Sequence, residues 1–274
     1  MTPFRHRPGF GRRLLPAAGA LPLLLALGCL DGQDGAAARV PPKAEVIKAV
    51  ILDIGNVMVD VDLAKAEPAF RAAGLPVTRN LLGDPDSLAL VRRYSEGAVD
   101  TRAFMARFAR LQGRAAIPAH RFARAWNAMV PALRTDAIEA VPEFRARGYR
   151  LFALSDNNAL HTDHIRRLFR ERYPDREFLG LFDKCYLSQV TGHTKASDAA
   201  WRDVLDEQGL QAQECLFVDD HQPNIARARN LGFQVFHFTP GTPMEKVLAA
   251  LADLEHGGRR RGAPSGAAGL QGTP

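Results

Sequence analysis

The chain has 274 residues, 46% apolar and 24% charged, the balance of a soluble globular protein with room for one ordinary domain and an insertion, or two small domains. Its formal charge of +6 is concentrated at the ends: residues 1–45 hold six Arg/Lys against three Asp/Glu, residues 255–274 hold three Arg against one Glu, and the body between them carries only +1. With no basic stripe interleaved with aromatics in that body, nucleic acid is excluded as the expected partner.

The first elements in chain order concern targeting. Arg5, Arg7, Arg12 and Arg13 precede an uncharged run, Leu14 to Gly28, which predicts a signal peptide over residues 1–30 followed by a Gly/Ala/Pro-rich tether over 31–45. The run is too short, and too broken by Pro16 and Pro22, for a membrane-spanning helix. It ends in Ala26-Leu27-Gly28-Cys29, which resembles a bacterial lipobox with Ala26 in place of the usual Leu. Lipidation of Cys29 is the one membrane attachment this predicts. Arg12-Arg13 also faintly resembles a twin-arginine export signal. Two readings stay open: an exported protein, periplasmic or lipid-anchored, or a cytoplasmic one with a mispredicted start codon. The Gly/Pro/Ala-rich stretch after residue 254 predicts a disordered tail over 255–274.

The body alternates short apolar runs with helical stretches. Ala49–Asp53, Arg150–Ser155, Lys184–Leu187, Cys215–Asp219 and Gln234–Phe238 read as buried strands. Helices are predicted over Asp136–Arg147, Asn158–Arg172, Ala196–Gln208 and Pro223–Asn230, three of them closed by Gly148, Gly209 and Gly232. Such alternation argues an α/β fold with a parallel sheet covered on both faces. Residues 63–130 break the pattern with amphipathic helices and no strand. Val99–Leu111, with Phe104, Phe108 and Leu111 at helical spacing, is the clearest. They predict a helical insertion after the first strand whose aromatics, Trp126 included, form its own core. The folded core is then 46–62 and 131–254.

Open α/β sheets bind ligands beyond the carboxyl ends of their strands. There the sequence places Asp53, then Ser155-Asp156, then Asp219-Asp220, with Lys195 opening the helix after the third strand. A lone Asp at such a position is ordinarily a cap or turn residue; several polar groups converging on one rim point to chemistry. The set suits phosphoryl transfer. Asp53 is the candidate nucleophile. Its repulsion from a phosphate dianion calls for Mg²⁺, held by Asp53, a nearby carbonyl such as that of Gly55, and Asp219 or Asp220. Ser155, Asp156 and Lys195 border the phosphate oxygens, and the backbone N–H groups of Gly55 and Asn56 make an anion nest. His161, His193 and His221 lie near the rim but read first as solvent-facing residues. Asp60 and Asp62 read first as helix caps and second as a substitute acid/base pair.

In order and spacing, Asp53-Ile-Gly-Asn-Val57, Ser155, Lys195 and Phe217-Val-Asp-Asp220 resemble the four motifs of the haloacid-dehalogenase superfamily, over the whole of residues 46–254. Asp60-Val-Asp62, Asn158-Ala-Leu-His161, Tyr186-Leu-Ser-Gln189 and Asn224 bring the resemblance nearer to the bacterial α-D-glucose-1-phosphate phosphatase subgroup. The resemblance implies a Rossmann-like sheet of strand order 5-4-1-2-3 with a C1-type helical cap. In that order Cys185 and Cys215 lie three strands apart, roughly 14 Å, too far to bridge. Three departures follow: Gly55 stands where the superfamily carries an acid/base Asp, Asp156 where relatives carry Asn, and Ala196 where a Pro often follows the lysine. The implied function is a Mg²⁺-dependent phosphatase acting on a small phosphorylated metabolite, such as a sugar phosphate, through an aspartyl-phosphate. The alternative, which Gly55 and Asp156 motivate, is a catalytically weak or inactive binder of phosphorylated ligands or partners.

Overall fold

A computed structural model describes residues 46–77, 81–114 and 116–262, with side chains to residue 256. The predicted signal peptide, Cys29, most of the tether and residues 263–274 lie outside the described residues. Among the described residues, no helix is long and apolar enough to cross a membrane.

Five strands, β1 (Ala49–Leu52), β2 (Arg150–Ser155), β3 (Lys184–Leu187), β4 (Cys215–Asp219) and β5 (Gln234–His237), form one parallel sheet ordered β3-β2-β1-β4-β5. This is the implied order read from the opposite edge. β1 is central, and all four of its residues are buried because helices cover both faces. Alternation along the strands splits the core in two. Val50, Leu52, Leu151, Ala153, Leu216 and Val218 face one hydrophobic cluster. Ala49, Ile51, Phe152, Leu154, Cys215 and Phe217 face the other.

Between β1 and the first core helix lie α1 (Ala66–Ala72), α2 (Pro85–Ser95), α3 (Thr101–Leu111) and α4 (Ala119–Asn127). They enclose a third cluster of their own. Its centre is aromatic: Phe70, Phe104, Phe108, Phe122 and Trp126 meet mostly edge-to-face or tilted, with Phe122 stacked on Trp126 and Tyr94 stacked on Phe104 at 4.1 Å between centroids. The core helices are α5 (Thr135–Ala146), α6 (Ala159–Arg172), α7 (Ser188–Thr191), α8 (Asp198–Gln208), α9 (Gln222–Asn230) and α10 (Glu245–Gly262).

Side chains that take backbone donors explain where helices start. Asp100, Asn158 and Ser197 each cap the helix after them, so α3, α6 and α8 begin one or two residues later than periodicity suggests. The short α7 carries no apolar period and was not predicted. The tail boundary needs correction: α10 continues to Gly262 because Leu251 and Leu254 pack on the first core and the Tyr149 hydroxyl donates to Glu255. Cys185, on β3, and Cys215, on β4, are free thiols with β2 and β1 between them.

One contact joins the insertion to the core through a glycine. Gly97 follows α2 with φ +69°, and a Cβ there would press into the carbonyl oxygen of Gln189 in α7. Gly97→Ala is expected to lower the unfolding free energy by about 1–3 kcal/mol, measured by urea denaturation.

Candidate active site

β1, β2 and β4 end on the same rim, and each delivers a polar group there. Asp53 follows the last residue of β1, and its backbone N–H donates to the Val218 carbonyl of β4 at 2.9 Å. Ser155 closes β2 and Asp219 closes β4. Lys195 comes from the loop ahead of α8, and that loop is tied at two points. The Lys195 N–H donates to Asp156 Oδ1 at 2.8 Å, and its carbonyl accepts from Trp201 Nε1 at 3.0 Å.

The result is a buried ionic centre. Lys195 Nζ lies 2.5 Å from Asp219 Oδ2 and 3.0 Å from Asp53 Oδ1, with all three residues under 8% exposed. Burial alone would lower the ammonium pKa, but the carboxylates of Asp53, Asp219 and Asp156 outweigh it and hold Lys195 charged. Burial raises the Asp53 pKa, with Asp219 adding to the rise, while Lys195 and the Ser155 hydroxyl pull it back. Oδ1 of Asp53 also accepts the Ile54 N–H at 2.7 Å. Asp219 accepts from Lys195, from the His221 N–H at 2.7 Å, and from Asn224 Nδ2 at both oxygens, 3.1 and 3.2 Å.

Asn56 fastens the loop after β1 to Asp220. At φ +54° it is the one non-glycine with positive φ among the described residues, and its amide spans two partners. Nδ2 donates to Asp220 Oδ2 at 2.7 Å and Oδ1 accepts the Val61 N–H at 2.9 Å. The left-handed turn is the geometry from which successive N–H groups make an anion nest.

The donor set fits Mg²⁺. Asp53, Asp219 and Asp220 bring carboxylate oxygens within 4.8 Å of one another. Three carboxylates face one ammonium, so the centre carries excess negative charge that a hard, oxygen-preferring cation would balance. Asp220 accepts one hydrogen bond against four at Asp219, so more of its lone pairs remain for a cation.

Above this centre a cavity of about 300 Å³ opens between core and insertion. Gly55, Asn56, Ser155, Asp156 and Asp220 line its floor, and Leu63, Leu82, Val91, Ser95, Trp126 and Met129 its far wall. Those wall residues carry no motif, and sequence reasoning assigned Trp126 to the insertion core alone. Phe122, Trp126 and Met129 do recur at helical spacing, but that signal is indistinguishable from core packing. Of the described histidines, only His161 lines the cavity. It stacks on Trp126 at 5.4 Å, its Nε2 pairs with the Trp126 carbonyl and its Nδ1 with Asn158 Nδ2. His193 pairs with Asp203, and His221 lines a separate groove beside α9. Asp62 caps the turn at Leu63–Lys65 through the Ala64 N–H, and neither Asp60 nor Asp62 lines the cavity. Asp156 lines the cavity and at the same time holds the backbone of Lys195.

The haloacid dehalogenase-like hydrolase profile matches residues 47–232. A D-ribitol-5-phosphate phosphatase of Bacteroides thetaiotaomicron is 26% identical over 208 residues, 75% of this chain and 98% of that protein. A solved HAD family enzyme of the same organism superposes with a TM-score of 0.69 at 20% identity, covering 74% of this chain and 99% of that one. A HAD-like family hydrolase from Porphyromonas gingivalis gives a TM-score of 0.67 at 23% identity, with 76% and 98% covered. At these identities the two structures speak for the fold.

Two stability measurements probe the site. Lys195→Met leaves buried carboxylates uncompensated and is expected to cost about 3–5 kcal/mol in urea unfolding at neutral pH. Burial lowers the His161 pKa from 6.5 to about 4, so the fold favours the neutral ring. Its contribution is whole above pH 6.5 and is lost as pH falls toward 4, up to about 3 kcal/mol. Urea midpoints across that window should fall more steeply in the wild type than in His161→Gln.

Proposed function

The chain belongs to the haloacid dehalogenase-like hydrolase family, and from that premise we propose that it is a Mg²⁺-dependent phosphatase of a small phosphorylated metabolite, with Asp53 as its nucleophile. The observation that carries this reading is the Lys195 ammonium bound between Asp53 and Asp219, with Asp220 beside them and itself lining the cavity.

Each residue has a role that its surroundings support. Lys195 opposes the rise in the Asp53 pKa that burial causes, which favours the carboxylate form a nucleophile requires. Asp53 attacks the phosphorus, the P–O bond to the alcohol breaks, and the phosphoryl group is carried on the carboxylate. Ser155, Lys195 and the N–H groups of the Gly55–Asn56 turn hold the non-bridging oxygens, where charge spreads in the transition state. Water then attacks the phosphorus, the P–O bond to Asp53 breaks, and phosphate leaves with the carboxylate restored. Asp53, Asp219, Asp220 and the Gly55 carbonyl are the groups that would hold Mg²⁺. When bound, the ion offsets the repulsion between Asp53 and the phosphate dianion. Asn224 and the His221 N–H position Asp219, and Asn56 positions Asp220.

The D-ribitol-5-phosphate phosphatase relative supports a phosphorylated metabolite of sugar-like size, and a cavity near 300 Å³ supports a small one. Phosphate release from a panel of monoesters, D-ribitol 5-phosphate included, tests the reading. Release should require Mg²⁺, stop with EDTA, and fall at least about 10³-fold in Asp53→Asn. No release from any ester by folded, Mg²⁺-supplied protein would favour the non-catalytic binding alternative.

A further inference from the structure

Resting on the phosphatase reading, we propose that the leaving group is an acidic hydroxyl, phenolic or enolic, carried on a small apolar body. Two features of the cavity point there independently.

The first is the supply of protons. An alcohol leaving from phosphorus needs a proton unless its own oxyanion is stable, and a positioned donor contributes about 10²–10⁴-fold. Among the described residues that line the cavity, the carboxyl and imidazole side chains are those of Asp156, Asp220 and His161. Each is engaged in another duty. Asp156 Oδ1 accepts the Lys195 N–H and Asp220 Oδ2 accepts from Asn56. Both His161 nitrogens are paired, with the Trp126 carbonyl and with Asn158 Nδ2. Position 55, next to the reacting carboxylate, carries no side chain at all. A phenolic hydroxyl, with a pKa near that of tyrosine at about 10, leaves without help far more readily than an alkyl alcohol, whose pKa lies near the 15.7 of water.

The second is the wall that meets the leaving group. Leu63, Leu82, Val91, Trp126 and Met129 face the cavity from the insertion. The polar groups among them are satisfied internally: the Trp126 indole N–H donates to Asn158 Oδ1 at 3.3 Å. Ser95 is the one hydroxyl on that wall among the described residues. A polyhydroxylated body would find one hydroxyl partner on that wall, and each of its hydroxyls left unpaired against it costs about 1–3 kcal/mol.

The structure also supplies the control. A Cβ built on Gly55 meets Val61 Cγ2 at 3.5 Å and Asp53 Oδ2 at 3.9 Å, ordinary contacts, and the position has no positive φ. Gly55→Asp therefore fits, and places a carboxyl beside the oxygen of Asp53 on that side.

The test compares kcat/KM for phenyl phosphate, benzyl phosphate and D-ribitol 5-phosphate in the wild type and in Gly55→Asp. Benzyl phosphate keeps the apolar ring but leaves as an alkyl alcohol, so it separates acidity from apolarity. The wild type should prefer phenyl to benzyl by at least about 100-fold, and benzyl to ribitol. Gly55→Asp should raise benzyl relative to phenyl by at least about 10-fold. Val91→Thr should raise KM for phenyl phosphate several-fold with kcat unchanged. Equal or faster turnover of D-ribitol 5-phosphate, or no change in the benzyl-to-phenyl ratio in Gly55→Asp, overturns the inference while leaving a phosphatase. Failure to hydrolyse even phenyl phosphate would instead overturn the phosphatase reading beneath it.

Discussion

One buried ammonium holds the site together. Lys195 sits between Asp53 and Asp219 at 3.0 and 2.5 Å, almost without solvent. Burial raises the Asp53 pKa, the neighbouring Asp219 adds to the rise, and Lys195 opposes it. Around the lysine, Asp53, Asp219 and Asp220 are the groups that would hold a cation. The lysine's own geometry rests on Asp156 and Trp201, which fix its backbone on both sides.

The sheet is what brings these groups to one place. β1 and β4 are hydrogen-bonded in parallel, with Leu52 opposite Val218, so the residues that follow, Asp53 and Asp219, emerge together. β2 pairs with the other edge of β1 and adds Ser155 to the same rim. The hydrophobic clusters on the two faces supply the stability against which this concentration of charge is held. The insertion, with its own aromatic core, closes the cavity above it and sets what meets the substrate beyond the phosphate.

Much of this was legible in the residues. Buried strands show as short apolar runs, and an acid at the end of such a run in a parallel sheet can only lie on the ligand-binding rim. Asp53, Ser155, Lys195 and Asp219-Asp220 therefore announced themselves. Three kinds of information did not. The hydrogen bonds from Asn224 and the His221 N–H to Asp219 depend on how α9 starts, which no periodicity in the residues reports. The apolar cavity wall did not show either, since an apolar helix face such as that of Val91 looks the same whether it meets another helix or a ligand. The extension of α10 past residue 254 depends on Glu255 meeting Tyr149, a contact across 106 positions of chain.

The central claim is that Asp53 carries the phosphoryl group. Acid-quenching the enzyme during turnover with Mg²⁺ and phenyl phosphate, then locating the added mass by peptide mass spectrometry, tests it directly. The account predicts one phosphoryl group on the peptide containing Asp53, appearing at the rate of phenol release and absent from Asp53→Asn. Steady turnover with phosphate released but no phosphoryl group trapped on Asp53, or one trapped on another residue, would contradict it.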